Sequence, residues 1–260
     1  MRVFFITPEE PFHLPVFFDT VFKSRNLEFA GIAIVRPLYK GQSWFSQSKR
    51  FIKAFGLIIF LREATMFALY RVLDFIGQSL KLKRFYSVRS AALHHNCPIF
   101  EPEDINAPSF LATLREVTPD VIVSVSNPQI FRDEIMSIPR WGCINNHGAL
   151  LPKYRGVLPS FWMLVNEEKK GGVTVHYLSK EIDEGMIIVQ KEFDILPDDT
   201  LHTLITRSKR LSAEALLEAL NQIAANNVSP RPNRVEEGSY YSWPTREAVQ
   251  KFRKLGRRFR

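Results

Sequence analysis

Short apolar runs rich in β-branched and aromatic residues recur along this chain, with helical stretches between them. Residues 3–6, 29–35 and 121–125 are apolar almost throughout rather than alternating, the pattern of strands buried on both faces of a parallel sheet. Helical spacing at 14–24, at about 109–116 and from 200 to about 226 supplies the intervening layers. Strands and helices in alternation imply right-handed βαβ connections. The expected fold class is therefore α/β, a Rossmann-like, mostly parallel sheet with helices on both faces. Further strands are expected at 97–100, 174–177 and 187–190, and a further helix at about 159–166 with Trp162 turned inward. A chain of 260 residues holds one such domain with a full core, plus appendages.

Three polar residues stand out against this frame. Asn145 and His147 lie in Cys-Ile-Asn-Asn-His-Gly-Ala-Leu-Leu-Pro-Lys-Tyr-Arg-Gly, residues 143–156, directly after an expected buried strand. Asp183 follows a second expected strand in Gly-Val-Thr-Val-His-Tyr-Leu-Ser-Lys-Glu-Ile-Asp-Glu-Gly, residues 172–185. In an open parallel sheet, reactive side chains gather at the carboxyl ends of strands, so the three are expected to converge there. An amide can donate to a developing oxyanion, an imidazole can move a proton near neutral pH, and a carboxylate can fix the imidazole or relay its proton. An Asn-x-His beside Gly and Pro also serves plain turn chemistry, and Asp183 alone reads equally well as a loop carboxylate. His176 falls within its strand, where a packed, hydrogen-bonded role is expected. His13, His94, His95 and His202 show no metal-ligand spacing.

In these residues the chain resembles the folate-dependent formyltransferases, which include methionyl-tRNA, glycinamide-ribonucleotide and amino-sugar formyltransferases and formyltetrahydrofolate hydrolases. The family pattern Asn-x-His-x-Ser-Leu-Leu-Pro is met at 145–152, with Ala149 in the place of Ser, and Gly-Val-Thr…Asp-x-Gly is met at 172–174 and 183–185. The resemblance runs from about 119 to 220, is recognisable at 1–35 and is weak from about 36 to 90. It implies Asn145, His147 and Asp183 as the catalytic set and 10-formyltetrahydrofolate as formyl donor, without a metal. It also implies Gln129, Ile130, Phe131 and Ile182 as contacts of the pterin ring. The implied activity is transfer of the formyl group to a primary amine, with a small anionic substrate, an amino-sugar on a nucleotide, as the expected acceptor. The alternatives are a formyltetrahydrofolate hydrolase and a reduced methionyl-tRNA-type formyltransferase. A non-catalytic binding protein is opposed by the complete set of three. Against glycinamide ribonucleotide stands the loop at 7–11, Thr-Pro-Glu-Glu-Pro, which has no glycine to cradle a phosphate on backbone amides.

Charge divides the chain. Residues 36–89 contain eleven Lys or Arg against Glu63 and Asp74, and residues 246–260 contain seven against Glu247, so the +8 total leaves the rest of the chain acidic. The expected organisation is a catalytic domain at 1–226 carrying a helical insertion at about 41–86, followed by a linker, extended arm and basic helix at 227–260. The insertion, apolar and basic from 44 to 84, reads as one or two amphipathic helices broken near Gly56. It is expected to pack on the body or on a second subunit in a homodimer, with nucleic acid or a membrane surface as the other partners such basic segments fit. Two cysteines, Cys97 and Cys143, make no disulfide framework, and with the missing signal-peptide pattern at the N-terminus the expected location is cytoplasmic.

Overall fold

The computed structural model describes residues 1–36, 43–80 and 82–260. The first residues of the expected insertion, 41 and 42, and the basic residues Lys40 and Lys81 lie outside the described residues. The chain runs β1 (Arg2–Pro8), α1 (Leu14–Phe22), β2 (Glu28–Val35), α2 (Trp44–Phe55), α3 (Leu57–Ser79), α4 (Val88–His94), β3 (Ile99–Phe100), α5 (Pro108–Val117) and β4 (Val121–Val125). It continues through α6 (Asp133–Met136), β5 (Cys143–His147), β6 (Arg155–Gly156), α7 (Pro159–Val165), β7 (Lys170–Tyr177), β8 (Ile187–Asp194) and α8 (Leu201–Ala224). A 3-10 turn at Val235–Glu237 leads to β9 (Tyr240–Tyr241) and α9 (Arg246–Lys254).

Among the described residues, seven strands form one sheet in the order β3-β2-β1-β4-β5-β7-β8. The first five in that order are mutually parallel, whereas β7 is antiparallel to both β5 and β8. The expected α/β class, a Rossmann-like and mostly parallel sheet, is what the chain adopts. Its apolar strands are buried on both faces because helices cover both. Val3, Phe5, Val123 and Ile144 meet α1, α4 and α8 on one side. Phe4, Ile6 and Ile122 meet Phe110, Leu111 and Leu114 of α5 on the other. Burial of these side chains stabilises the sheet by roughly 1.5–3 kcal/mol each relative to exposure.

A third apolar core lies beside the sheet. It joins Phe55 of α2, Phe161 and Leu164 of α7, Leu204 of α8 and Phe252 of α9. On α7 the inward aromatic is Phe161, fully buried, while the expected inward residue Trp162 is only partly buried. Trp162 stacks on Tyr241 at 4.7 Å and donates its indole N–H to the Ser242 carbonyl. Helix α4 has no counterpart among the sequence expectations. Its N-terminus is held by the Glu9 carboxylate, which accepts from Val88 N at 2.7 Å and Arg89 N at 3.2 Å.

Candidate active site

Side chains alternate along a strand, so Asn145 and His147 share one face of β5 while Asn146 points to the other. Asn146 donates to the Ser212 carbonyl of α8 at 2.8 Å. The antiparallel register sets Asn145 opposite His176 and His147 opposite Thr174, adding two more polar groups to the same patch.

Asp183 arrives by a different route from the one expected. Because β7 is antiparallel, its end at Tyr177 lies beside Ile144, at the start of β5, so the carboxyl-end rule places Asn145 and His147 but not Asp183. The loop after Tyr177 doubles back, with Asp183 in the left-handed region at φ 57°. The return passes so close to β7 that a Cβ on Gly185 would collide with the Tyr177 carbonyl. Asp183 is then fixed from three sides. Gly156 N donates to Oδ2 at 2.9 Å, Asn145 Nδ2 donates to Oδ1 at 3.2 Å, and Asn233 Nδ2 donates to the Asp183 main-chain carbonyl at 2.8 Å. Glu184 beside it is ion-paired with Arg155.

The structure thus brings Asn145, His147 and Asp183 together. His147 Nε2 donates to the Tyr154 carbonyl at 2.8 Å, and Nδ1 faces Asp183 Oδ2 at 3.5 Å. The backbone carbonyl therefore orients the ring and sets its Nε2–H tautomer, a task expected of Asp183. His176 is fully buried, with Nδ1 on the Tyr177 carbonyl at 2.8 Å and Nε2 within 3.2 Å of Asn145 Nδ2. Donation from Nδ1 leaves Nε2 as the acceptor that holds the Asn145 amide. His176 is packed and hydrogen-bonded as expected, yet it belongs to the site. Its period-two spacing with Thr174, combined with an antiparallel pairing, was the signal available.

Electrostatics separates the roles. Burial lowers the pKa of His147 below its ordinary 6.5, with the Asp183 charge and the Tyr154 hydrogen bond opposing the shift only in part. Burial pushes Asp183 upward, but His147, His176 and the Gly156 amide outweigh it and hold the carboxyl below the usual range. At rest the pair is a neutral imidazole facing a carboxylate. Lys209 on α8 is a cation that sequence reading did not single out. It donates to Ser126 Oγ at the end of β4 at 2.8 Å, its charge lowers the pKa of His147, and burial brings its own pKa down to about 8. Cys97 and Cys143 are buried thiols pushed up to about 12, so neither is a nucleophile at neutral pH.

The turn after β5 is held without the missing serine hydroxyl. Thr174 Oγ1 donates to the Ala149 carbonyl at 2.6 Å and accepts from Leu151 N at 3.1 Å and Gln190 Nε2 at 2.8 Å. Ala149 is fully buried, so its methyl packs where a hydroxyl would need a partner.

The expected pterin contacts divide. Ile130 and Ile182 are exposed apolar side chains open to a ligand. Phe131 is buried in the core beneath α5, and the Gln129 amide is committed to Ile105 N at 2.9 Å and the Glu103 carbonyl at 3.0 Å. The Gln129 main chain also bonds the Asn127 side chain, its N–H donating to Oδ1 at 3.2 Å and its carbonyl accepting from Nδ2 at 2.7 Å, so Phe131 is left to offer a ligand its main-chain groups and Gln129 the second lone pair of its carbonyl. In the loop after β1, Glu10 accepts from the N–H groups of Phe12, His13 and Leu14 at 2.9–3.0 Å. Burial opposes its ionisation, but His13 and these amides prevail and lower its pKa. An internal carboxylate therefore occupies the start of α1, where an external phosphate would otherwise bind. Among the described residues, no group of three His, Cys, Asp or Glu is placed to hold a metal ion.

Comparison with known proteins identifies the family. The formyl transferase family model matches residues 73–220, more than half of the 260-residue chain. The chain belongs to the formyl transferase family. It is 36% identical over 172 residues to the methionyl-tRNA formyltransferase of Caldanaerobacter subterraneus subsp. tengcongensis, covering 66% of this chain and 55% of that protein. It is 39% identical over 153 residues to that of Thermotoga maritima, covering 59% and 49%. The chain thus spans about half the length of the curated relatives it matches. Among solved structures, a sugar N-formyltransferase from Shewanella sp FDAARGOS_354 superposes over 93% of this chain and 76% of its own, with TM-score 0.58 and 20% identity. The glycinamide ribonucleotide transformylase 1 of Symbiobacterium toebii superposes over 89% and 93%, with TM-score 0.61 and 14% identity. At these identities the two structures establish a common fold.

Proposed function

We propose that the chain transfers a formyl group from 10-formyltetrahydrofolate to a primary amine, and that the acceptor is an amino-sugar carried on a nucleotide. The observation that carries the transfer is a buried neutral His147 held by the Tyr154 carbonyl, with Asp183 and Asn145 on its other side. In the reaction the amine nitrogen forms the new C–N bond, the bond from the formyl carbon to the folate nitrogen breaks, and the amine proton ends on that nitrogen.

Each residue has a task in this exchange. The free Nδ1 of His147 accepts the amine proton as a general base and returns it to the departing nitrogen. Asp183 stabilises the imidazolium that forms between those steps, and Tyr154 keeps the ring from turning. Asn145 donates to the oxyanion by releasing one of its two long 3.2 Å contacts, to Asp183 or His176. Ile130 and Ile182 offer apolar surface to the pterin, and the main-chain groups of Phe131 and the second lone pair of the Gln129 carbonyl offer hydrogen bonds.

The acceptor rests on elimination. The Glu10 carboxylate repels a ribonucleotide phosphate at the start of α1, which disfavours glycinamide ribonucleotide. The Helicobacter canadensis N-formyltransferase in complex with folinic acid and dTDP-3-aminofucose superposes over 98% of the chain with TM-score 0.60 and 17% identity, so the fold accommodates this reading without selecting it over the glycinamide ribonucleotide transformylase. A second reading, methionyl-tRNA, is favoured by the 36% identity to such an enzyme. The test is a turnover assay with 10-formyltetrahydrofolate against a panel of amino-sugar nucleotides, charged initiator tRNA and no amine, with His147→Ala as blank. Turnover dependent on one amino-sugar supports the assignment, and tRNA-dependent turnover replaces it with the second reading. Amine-independent turnover identifies a hydrolase.

A further inference from the structure

Helix α3 has two apolar faces, and only one of them is used. Its inward face sets Ile59, Glu63, Met66, Tyr70, Asp74 and Gly77 toward the body, at three- and four-residue steps and all at least partly buried. Tyr70 packs edge-on against Phe12 and Tyr86, and Glu63 is ion-paired with Arg260. The outward face repeats the same steps through Ile58, Leu61, Thr65, Leu69, Val72 and Ile76, all exposed. Ile58 is 85% exposed and Phe75 74%. No charged residue interrupts this stripe along a 23-residue helix, roughly 35 Å at ~1.5 Å per residue. An uncovered apolar face of that extent marks a docking surface.

Charge identifies the occupant. Across the described residues 43–80 and 82–84, every exposed charged residue is a Lys or an Arg, including Lys49, Lys53, Arg62, Arg71 and Lys83. The segment's two acids, Glu63 and Asp74, both face inward. Arg62, which also pairs with Glu63 at 3.0 Å, and Arg71 border the stripe on opposite sides. A second copy of the same face would bring together two surfaces whose exposed charges are all positive, and like charges oppose self-pairing of helices. Anionic headgroups would offset the positive charge of this segment, while the stripe enters the boundary of the acyl chains. No helix among the described residues is long and apolar enough to cross a membrane. We propose that the outward face of α3, with the cations around it, binds the surface of an anionic lipid bilayer and lies in its plane.

The test is flotation of the whole protein with vesicles of phosphatidylglycerol and phosphatidylcholine, and with phosphatidylcholine alone, beside light scattering of the free protein. Binding to the anionic vesicles is expected, weaker in high salt and at least tenfold weaker for an Ile58→Glu/Phe75→Glu variant. Both positions are solvent-exposed, and circular dichroism verifies that this variant folds as the wild type does. Absence of binding to the anionic vesicles overturns the proposal, as does equal binding by the folded variant. A wild-type dimer that the double substitution converts to monomer assigns the face to a second copy instead.

Discussion

The two basic regions look alike in sequence and differ in what they do. The arm at 227–260 is built into the body. Phe252 is fully buried against Phe161, with ring centroids 5.2 Å apart, and Arg253 donates to the Phe55 carbonyl. The arm also reaches the chemistry. Asn233 holds the Asp183 carbonyl, Ser239 Oγ accepts from Tyr154 N at 2.9 Å, and Tyr241 stacks on Tyr154. Since Tyr154 in turn orients His147, the arm braces two of the three central residues. Gly156 sits at the junction, with φ 92° and no room for a Cβ beneath the Tyr241 carbonyl. The insertion makes the opposite use of its charge: the cations described in it are exposed, and one apolar face of α3 points outward. Clustered positive charge therefore says nothing by itself about whether a segment is structural or interactive. Burial of the apolar residues between the charges decides it.

The contrast breaks most readily at Phe252. Phe252→Ala is expected to cost about 3–5 kcal/mol in denaturant unfolding, and a cost near zero would show the arm to be loosely attached. Next comes Asn233→Ala, which frees the Asp183 loop without touching a reacting atom. Turnover is expected to fall about tenfold to a hundredfold, with the unfolding free energy reduced by only about 1 kcal/mol. A variant with unchanged kcat would detach the arm from the site.

The pH profile sharpens the same link. With the His147 pKa lowered below 6.5, the unfolded chain holds the extra proton between the two values, so stability rises with pH across that window and is lost on acidification. Because the neutral imidazole is the base, kcat/KM should lose activity only below pH 6.5. Asp183→Asn removes the charge that raises the His147 pKa, so the acid limb should move to lower pH while the plateau falls. A limb that stays in place would separate Asp183 from the titration. The smallest effect is expected on the outward face of α3, where Phe75→Ser should change stability by no more than about 0.5 kcal/mol and leave turnover in solution intact.

Much of this was legible in the sequence, for identifiable reasons. Uniformly apolar strands announce a sheet covered on both sides, and Asn145 and His147 share a face because strand periodicity is two. The reversal of β7 was not legible, because buried parallel and antiparallel strands share one apolar pattern. The route of Asp183 back to His147, and the place of His176 beside Asn145, follow from that reversal. The Tyr154 carbonyl was invisible because a main-chain group carries no residue signature. Lys209 was hidden by its helix, where a lone lysine reads as a solvated position. The insertion's break falls at Gly56, with φ 91° between α2 and α3, while the exposure of one α3 face depends on packing that periodicity alone does not resolve.

The central claim is that the His147, Asn145 and Asp183 centre moves a formyl group from folate to an amine. Mass spectrometry can follow an isotopically labelled formyl group from 10-formyltetrahydrofolate to the acceptor in the wild type and in folded Asn145→Ala and His147→Ala variants. The label should appear on the amine with the wild type, and each variant should be slower by ~10²–10³. Label transfer at wild-type rates in either variant would contradict the claim.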